Sequence, residues 1–140
     1  MPLLKTSGNN TADAYAGGVA LKPNYIEDVF STYLYTGNGS TQTITNGIDL
    51  STYGGLVWMK SRNAAFRHYL FDTARGMDKD LSTNNTDAQG SGGLASATST
   101  GFSFGGNTNG NQSGTTFGSW TFRKQPKFFD VVTWTGDGTA

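Results

Sequence analysis

The side chains able to do chemistry are few and scattered. The single histidine, His68, follows Arg67 and stands four residues before Asp72. Nucleophilic catalysis would need a serine held against that imidazole and an acid behind it. Nothing in the spacing fixes such a geometry, so His68 reads as an ordinary strand residue. Asp72, Asp78, Asp80 and Asp87 form the one local group of acids. Glycoside hydrolysis needs two carboxyls facing one another across a cleft, whereas these four read as solvated acids in or beside a loop. Asp78, Asp80 and Ser82 partly match a calcium loop, but Thr83 and Gln89 stand where its glycine and glutamate belong. With no cysteine and one histidine, transition-metal chemistry is not expected. The glycines lack the strand-to-helix placement of a phosphate cradle and read as turn residues. No catalytic residue, metal ligand or cofactor is therefore expected.

Aromatic residues are the remaining candidates. Trp58, Trp120, Trp134 and the six tyrosines could stack on sugar rings through their apolar faces. Alternation along their segments favours the opposite reading, with the tryptophans filling a core. Tyr15 and Tyr25 lie in or beside a leader poor in apolar residues and are the better candidates for contact with a partner.

The elements that must position these groups follow from composition. Glycine is abundant (20 residues), aromatics make up 13% and charged residues only 14%. A disordered chain would be poor in aromatics and rich in charge, so this one should fold. Gly, Thr, Ser and Asn suit short strands and tight turns, and Glu27 is the sole glutamate among scarce helix formers. An all-β fold is expected. Formal net charge is zero, without the basic excess that phosphate contacts demand, so nucleic acid is not an expected partner. No apolar run approaches the ~20 residues of a membrane span, and the start lacks the blocks of a signal peptide. Synthesis in a cytoplasm is expected, without membrane insertion. Four Asn-x-Ser/Thr triplets are read as chance in so Asn- and Thr-rich a chain.

An internal repeat organises the rest. Residues 28–41 align without a gap on 127–140, an offset of 99 residues. Phe30 meets Phe129, Tyr35 meets Trp134, and Thr36, Gly37 and Gly39 meet Thr135, Gly136 and Gly138. Each copy reads as a strand running into a hairpin turn, with Tyr33 and Tyr35 on one face by period two. The expected organisation is a leader over 1–27, a β-sandwich unit over 28–126, and the first strand and turn of a second, truncated unit over 127–140. Within the unit, strands are expected at 41–45, 56–59 (buried on both faces), 65–72, 102–104 and 120–122. Residues 80–100 read as a long surface loop or extended edge, and 105–114 as a smaller stretch of the same kind.

Several of these motifs together resemble a group of phage tail-fibre and tail proteins. They are residues 31–50, the run Gly55 to Arg62 with Trp58, Leu70 to Gly76, Gly101 to Phe104, Trp120 to Lys124, and Thr133 to Gly138. The resemblance implies an antiparallel β-sandwich of the laminin-G/concanavalin-A-like jelly-roll type, preceded by an extended N-terminal segment. It also implies a homotrimeric virion protein, the N-terminal part of a tail fibre that carries distal host-recognition domains. The leader would dock on other tail proteins (adaptor, nozzle or baseplate). The alternative is a carbohydrate-binding module that contacts host surface glycans directly. The family pattern supplies no catalytic residue.

Overall fold

The computed structural model describes residues 25–94 and 96–139; the leader before Tyr25 lies outside them, as does Tyr15. A single helical turn, α1 (Ile26–Val29), leads into β1 (Phe30–Thr36), β2 (Thr41–Thr45), a second helical turn α2 (Leu50–Tyr53) and β3 (Gly55–Ser61). Then come β4 (Tyr69–Asp72), β5 (Gly76–Ser82), β6 (Gly90–Ser91), β7 (Ser96–Thr98), β8 (Gly101–Gly105) and β9 (Thr116–Arg123). One sheet has the order β1-β9-β3-β4-β5-β6 and the other β2-β8-β7, and every pairing is antiparallel. The fold is thus an all-β, antiparallel two-sheet sandwich.

Period-two alternation drives the packing. Val57 and Met59 of β3, Phe71 of β4 and Phe117 of β9 face Ile44 of β2 and Phe102 and Phe104 of β8, all buried. Ile48, Leu50 and Leu94 close the core from the connecting segments. Tyr35 is its aromatic centre, stacked on Phe117 at 5.2 Å and close to Phe104 (5.9 Å) and Phe102 (6.3 Å). Its hydroxyl donates to the Gly110 carbonyl at 2.9 Å, so a polar tip is satisfied inside an apolar interior.

The first turn differs from the hairpin expected. β1 belongs to the six-stranded sheet and β2 to the three-stranded one, so residues 37–40 carry the chain between layers. The backbone groups a hairpin would pair are taken by the loop before β9. Gly37 N–H donates to Thr115 O (2.8 Å), Gly39 N–H to Asn111 O (2.9 Å), and Gly114 N–H to Gly37 O (3.0 Å). A Cβ on Gly37 would collide with the Gln112 carbonyl. The wholly buried Asn111 side chain accepts from Asn38 N–H (3.0 Å) and donates to Asn38 Oδ1 (3.2 Å), Gly106 O (2.9 Å) and Ser40 O.

Two other expectations change. The strand expected at 65–72 is only Tyr69–Asp72, because Ser61 Oγ accepts from Ala64 N–H at 3.0 Å and turns the chain out of β3. His68 precedes β4 rather than lying within it. Residues 80–100 hold the end of β5 and then the edge strands β6 and β7, so the extended-edge alternative describes them better than a loop, and Leu94 between them is only 2% exposed. Gly93 packs on the Phe71 ring so closely that no side chain fits there.

Burial raises the Tyr35 phenol well above the usual tyrosine range, which makes stability pH-dependent at the alkaline end. The unfolded chain loses this proton near pH ~10, while the folded one retains it. The stabilisation is therefore complete below that pH and falls as pH rises beyond it. The check is an absorbance titration at 295 nm followed alongside near-ultraviolet circular dichroism. Tyr35 should ionise only together with the loss of near-ultraviolet circular dichroism.

Candidate functional site: the outer face of the large sheet

The same alternation that fills the core turns a second apolar set outward. One cross-strand row runs Thr32, Trp120, Trp58, Leu70, Leu81 over β1, β9, β3, β4 and β5. The row beside it runs Phe30, Phe122, Leu56, Asp72. Trp58 and Trp120 lie with ring centroids 5.1 Å apart and planes at 37°. Trp58 is 36% exposed, Trp120 is half-buried, and Leu34 and Leu81 are exposed. The expectation that Trp58 and Trp120 fill the core is overturned. Both faces of β3 are apolar, and a continuous run of apolar residues does not reveal which tryptophan points inward. Trp134 is also outside the core, at 85% exposed.

A third row, Leu34, Gly118, Lys60, lies on the other side of the tryptophans. Gly118 leaves a notch walled by Leu34, the Trp120 ring edge and the Arg62 stem, wide enough to admit a methyl group without strain. The glycine is therefore not demanded by the fold. Leu34, Gly118 and Arg62 were not singled out from sequence, although the period-two placement of Tyr33 and Tyr35 already turned Leu34 to the opposite face.

The other edge of this face is shaped by the chain after β9. Lys127, with φ 66°, reverses direction in a turn closed by Gln125 N–H to Phe129 O (2.9 Å) and a Lys124–Asp130 ion pair of 2.9 Å. Phe129 stacks on Phe122 at 5.1 Å. Residues 131–134 then run beside Leu56, Leu70, Leu81 and Arg75, bounding a cleft of about 370 Å³.

The candidate catalytic groups are not brought together. Asp72 is buried and engaged by Arg75, whose Nε donates to Oδ2 at 2.6 Å and whose backbone N–H donates to Oδ1 at 2.8 Å. Asp78 is exposed and pairs with Lys79 at 2.7 Å; the hydrogen bond from that lysine holds its carboxyl below the usual range. Asp87 pairs with Arg67 on the surface. Asp80 is buried beside Gly90, and its Oδ1 has no hydrogen-bond partner. Among the described residues no group of three His, Cys, Asp or Glu side chains is placed to hold a metal. His68 is half-buried, its backbone N–H bound to Asn84 Oδ1 at 2.9 Å.

No nucleophile elbow is expected from the sequence, yet Gly101, Phe102, Ser103, Phe104, Gly105 has its Gly-x-Ser-x-Gly spacing. That motif works at a strand-to-helix turn, whereas Ser103 lies in the middle of β8, opposite Thr43 and Ser96, sharing a hydrogen bond with Ser96 Oγ at 2.8 Å. Tyr25 is 57% exposed next to Ile26 at 59%, an apolar pair at the foot of α1. No helix among the described residues is long and apolar enough to cross a membrane.

Fold and face together define an antiparallel sandwich whose large sheet is apolar on both sides. The family DUF7483, a domain of unknown function, matches residues 25–140, and the chain belongs to it. The match takes in the sandwich and the segment after β9 alike. No curated protein and no solved structure matches.

If the tryptophan pair is a surface feature rather than core, its removal should be cheap. Trp58→Ala should cost about 1–2 kcal/mol, against about 3–5 kcal/mol for Phe71→Ala, in urea unfolding. Either Trp58→Ala or Trp120→Ala alone should abolish the coupled-indole signal in circular dichroism.

Proposed function

We propose that the chain is a non-catalytic structural module of a phage tail fibre, the N-terminal part that attaches to the tail and carries distal host-recognition domains. The observation behind this reading is the ordered series of motifs from Ser31 to Gly138 that resembles such proteins. A two-sheet sandwich suits it, being a rigid unit that can be strung along a fibre. The non-catalytic part draws support from Asp72, Asp78 and Asp87 being committed to Arg75, Lys79 and Arg67 rather than to a shared cleft. In this reading residues 1–27 dock on other tail proteins, Tyr25 contributes to that contact, and the assembled protein is a homotrimer in the virion. Deleting residues 1–27 should leave the sandwich folded yet abolish incorporation into virions. Normal incorporation of the shortened chain would refute the docking role.

The open Trp58–Trp120 pair favours a second reading, a module that contacts host surface glycans directly. Two neighbouring indoles on a sheet face offer an apolar surface for sugar rings. Lys60, and Arg62 at the edge of the Gly118 notch, could meet hydroxyl or acidic substituents. On a glycan array the chain should then retain a defined set of oligosaccharides, and Trp58→Ala should weaken retention about tenfold, or roughly 1.4 kcal/mol. Uniform absence of retention would exclude this second reading.

A further inference from the structure

Asparagine is followed by glycine three times in the chain, at Asn38, Asn46 and Asn109. Such a pair carries its own reaction. The glycine nitrogen, with no Cβ beside it to hinder approach, can attack the asparagine Cγ and close a succinimide ring. In a folded protein the outcome turns on what holds the partners. The carboxamide must rotate onto the following nitrogen, and that N–H must be free to give up its proton.

Two of the three pairs are locked. Gly39 N–H donates to Asn111 O at 2.9 Å. Asn38 Oδ1 accepts from Ser40 N–H (2.8 Å) and from Asn111 Nδ2 (3.2 Å), while its Nδ2 donates to Thr41 O (3.4 Å). Gly47 N–H donates to Thr100 O at 3.1 Å. Asn46 Nδ2 donates to Thr121 Oγ1 (2.8 Å), and its Oδ1 accepts from Ile48 N–H (3.2 Å). Asn38 is exposed whereas Asn46 and Asn109 are half-buried, so accessibility alone would select Asn38.

The third pair lacks these restraints. Asn109 and Gly110 are the central residues of a turn closed by Asn111 N–H to Thr108 O at 2.9 Å. Among the described residues neither the Asn109 carboxamide nor the Gly110 N–H has a hydrogen-bond partner. Thr108 Oγ1, in the same turn, has none either. Glycine is nevertheless demanded at 110, because a Cβ there would collide with Met59 Sδ. The residue that makes the pair reactive is thus one the core requires.

We infer that Asn109 is a site of spontaneous deamidation that loosens the sandwich as the chain ages. The Gly110 nitrogen loses its proton to solvent base and bonds to Asn109 Cγ; the Cγ–Nδ2 bond breaks and ammonia leaves. Water then opens the succinimide at either carbonyl, giving aspartate or isoaspartate. One water is taken up and one ammonia released, with no oxidant or enzyme. Aspartate places a charge on a half-buried turn. Isoaspartate adds a methylene to the main chain just before Gly110. That shifts Gly110 O away from the Tyr35 hydroxyl and Asn111 away from Asn38 and Ser40. The inference depends on neither the fibre nor the glycan reading.

The unaltered chain serves for the test. After incubation in mildly alkaline buffer it is digested with pepsin at low pH, which halts the reaction. Mass spectrometry with electron-transfer fragmentation then locates each product and separates isoaspartate from aspartate. Asn109 should convert at least about tenfold faster than Asn38 or Asn46, a barrier difference of roughly 1.4 kcal/mol. In urea, where the restraining hydrogen bonds are gone, the three rates should converge. Native chain aged to full conversion should melt about 4 °C lower, and Asn109→Gln aged alike should keep its own starting value. Conversion led by Asn38 or Asn46, equal rates at the three native sites, an Asn109 that reacts in urea but not in the fold, or melting unmoved by full conversion would each overturn the inference.

Discussion

The sandwich depends on one carboxamide. Asn111 carries no apolar surface worth burying, yet it is wholly enclosed. Its two amide hydrogens and its oxygen serve the turn that takes the chain from the large sheet to the small one. Burying so polar a group is unfavourable unless it is fully paired. Once paired, it allows β1 and β2 to part into separate layers instead of folding on each other. The sheets then face across Tyr35, and the phenolic hydroxyl meets the Gly110 carbonyl next to the same asparagine. The two halves of the core are thus held in register by polar groups at one end and by aromatic packing through the middle.

The large sheet is asymmetric in what its two faces need. Its inner face is satisfied by the small sheet. Its outer face has Trp58, Trp120, Leu56, Leu70 and Leu81 over four strands, with the segment after β9 beside them. Single exposed apolar residues need no explanation, but a contiguous row does. The proposed glycan reading would place a flat, hydroxylated ring on that row.

What the sequence discloses here follows the strength of period two. β2, β8 and β9 are legible because apolar and polar residues alternate in Ile44, in Phe102 and Phe104, and in Trp120 and Phe122. Trp58 is misplaced because a strand apolar on both sides has no alternation to read. β6 and β7 are legible only as an edge or loop because Gly90, Ser91, Ser96 and Ala97 carry little side chain, and only Leu94 anchors the region. α2 is missed although Asp49 announces it, its carboxylate accepting from Thr52 N–H at 2.9 Å. The split of β1 and β2 between sheets is illegible because Asn111 lies over 70 residues from the turn it holds. Of the candidate face, residue types were visible but their side was not; of the expected partner residues, Tyr25 is exposed and Tyr15 lies outside the described residues.

The pairing of β1 with β9 has a mechanical meaning. Phe30, at the start of the first strand, lies opposite Phe122, at the end of the last. The chain therefore comes into the sandwich and leaves it at neighbouring points on one side. A pulling force applied through the backbone on either side would not shear the two strands lengthwise, which requires many hydrogen bonds to yield at once. It would part them pair by pair from Phe30 towards Thr36, like opening a zip. Such a unit gives way early under tension.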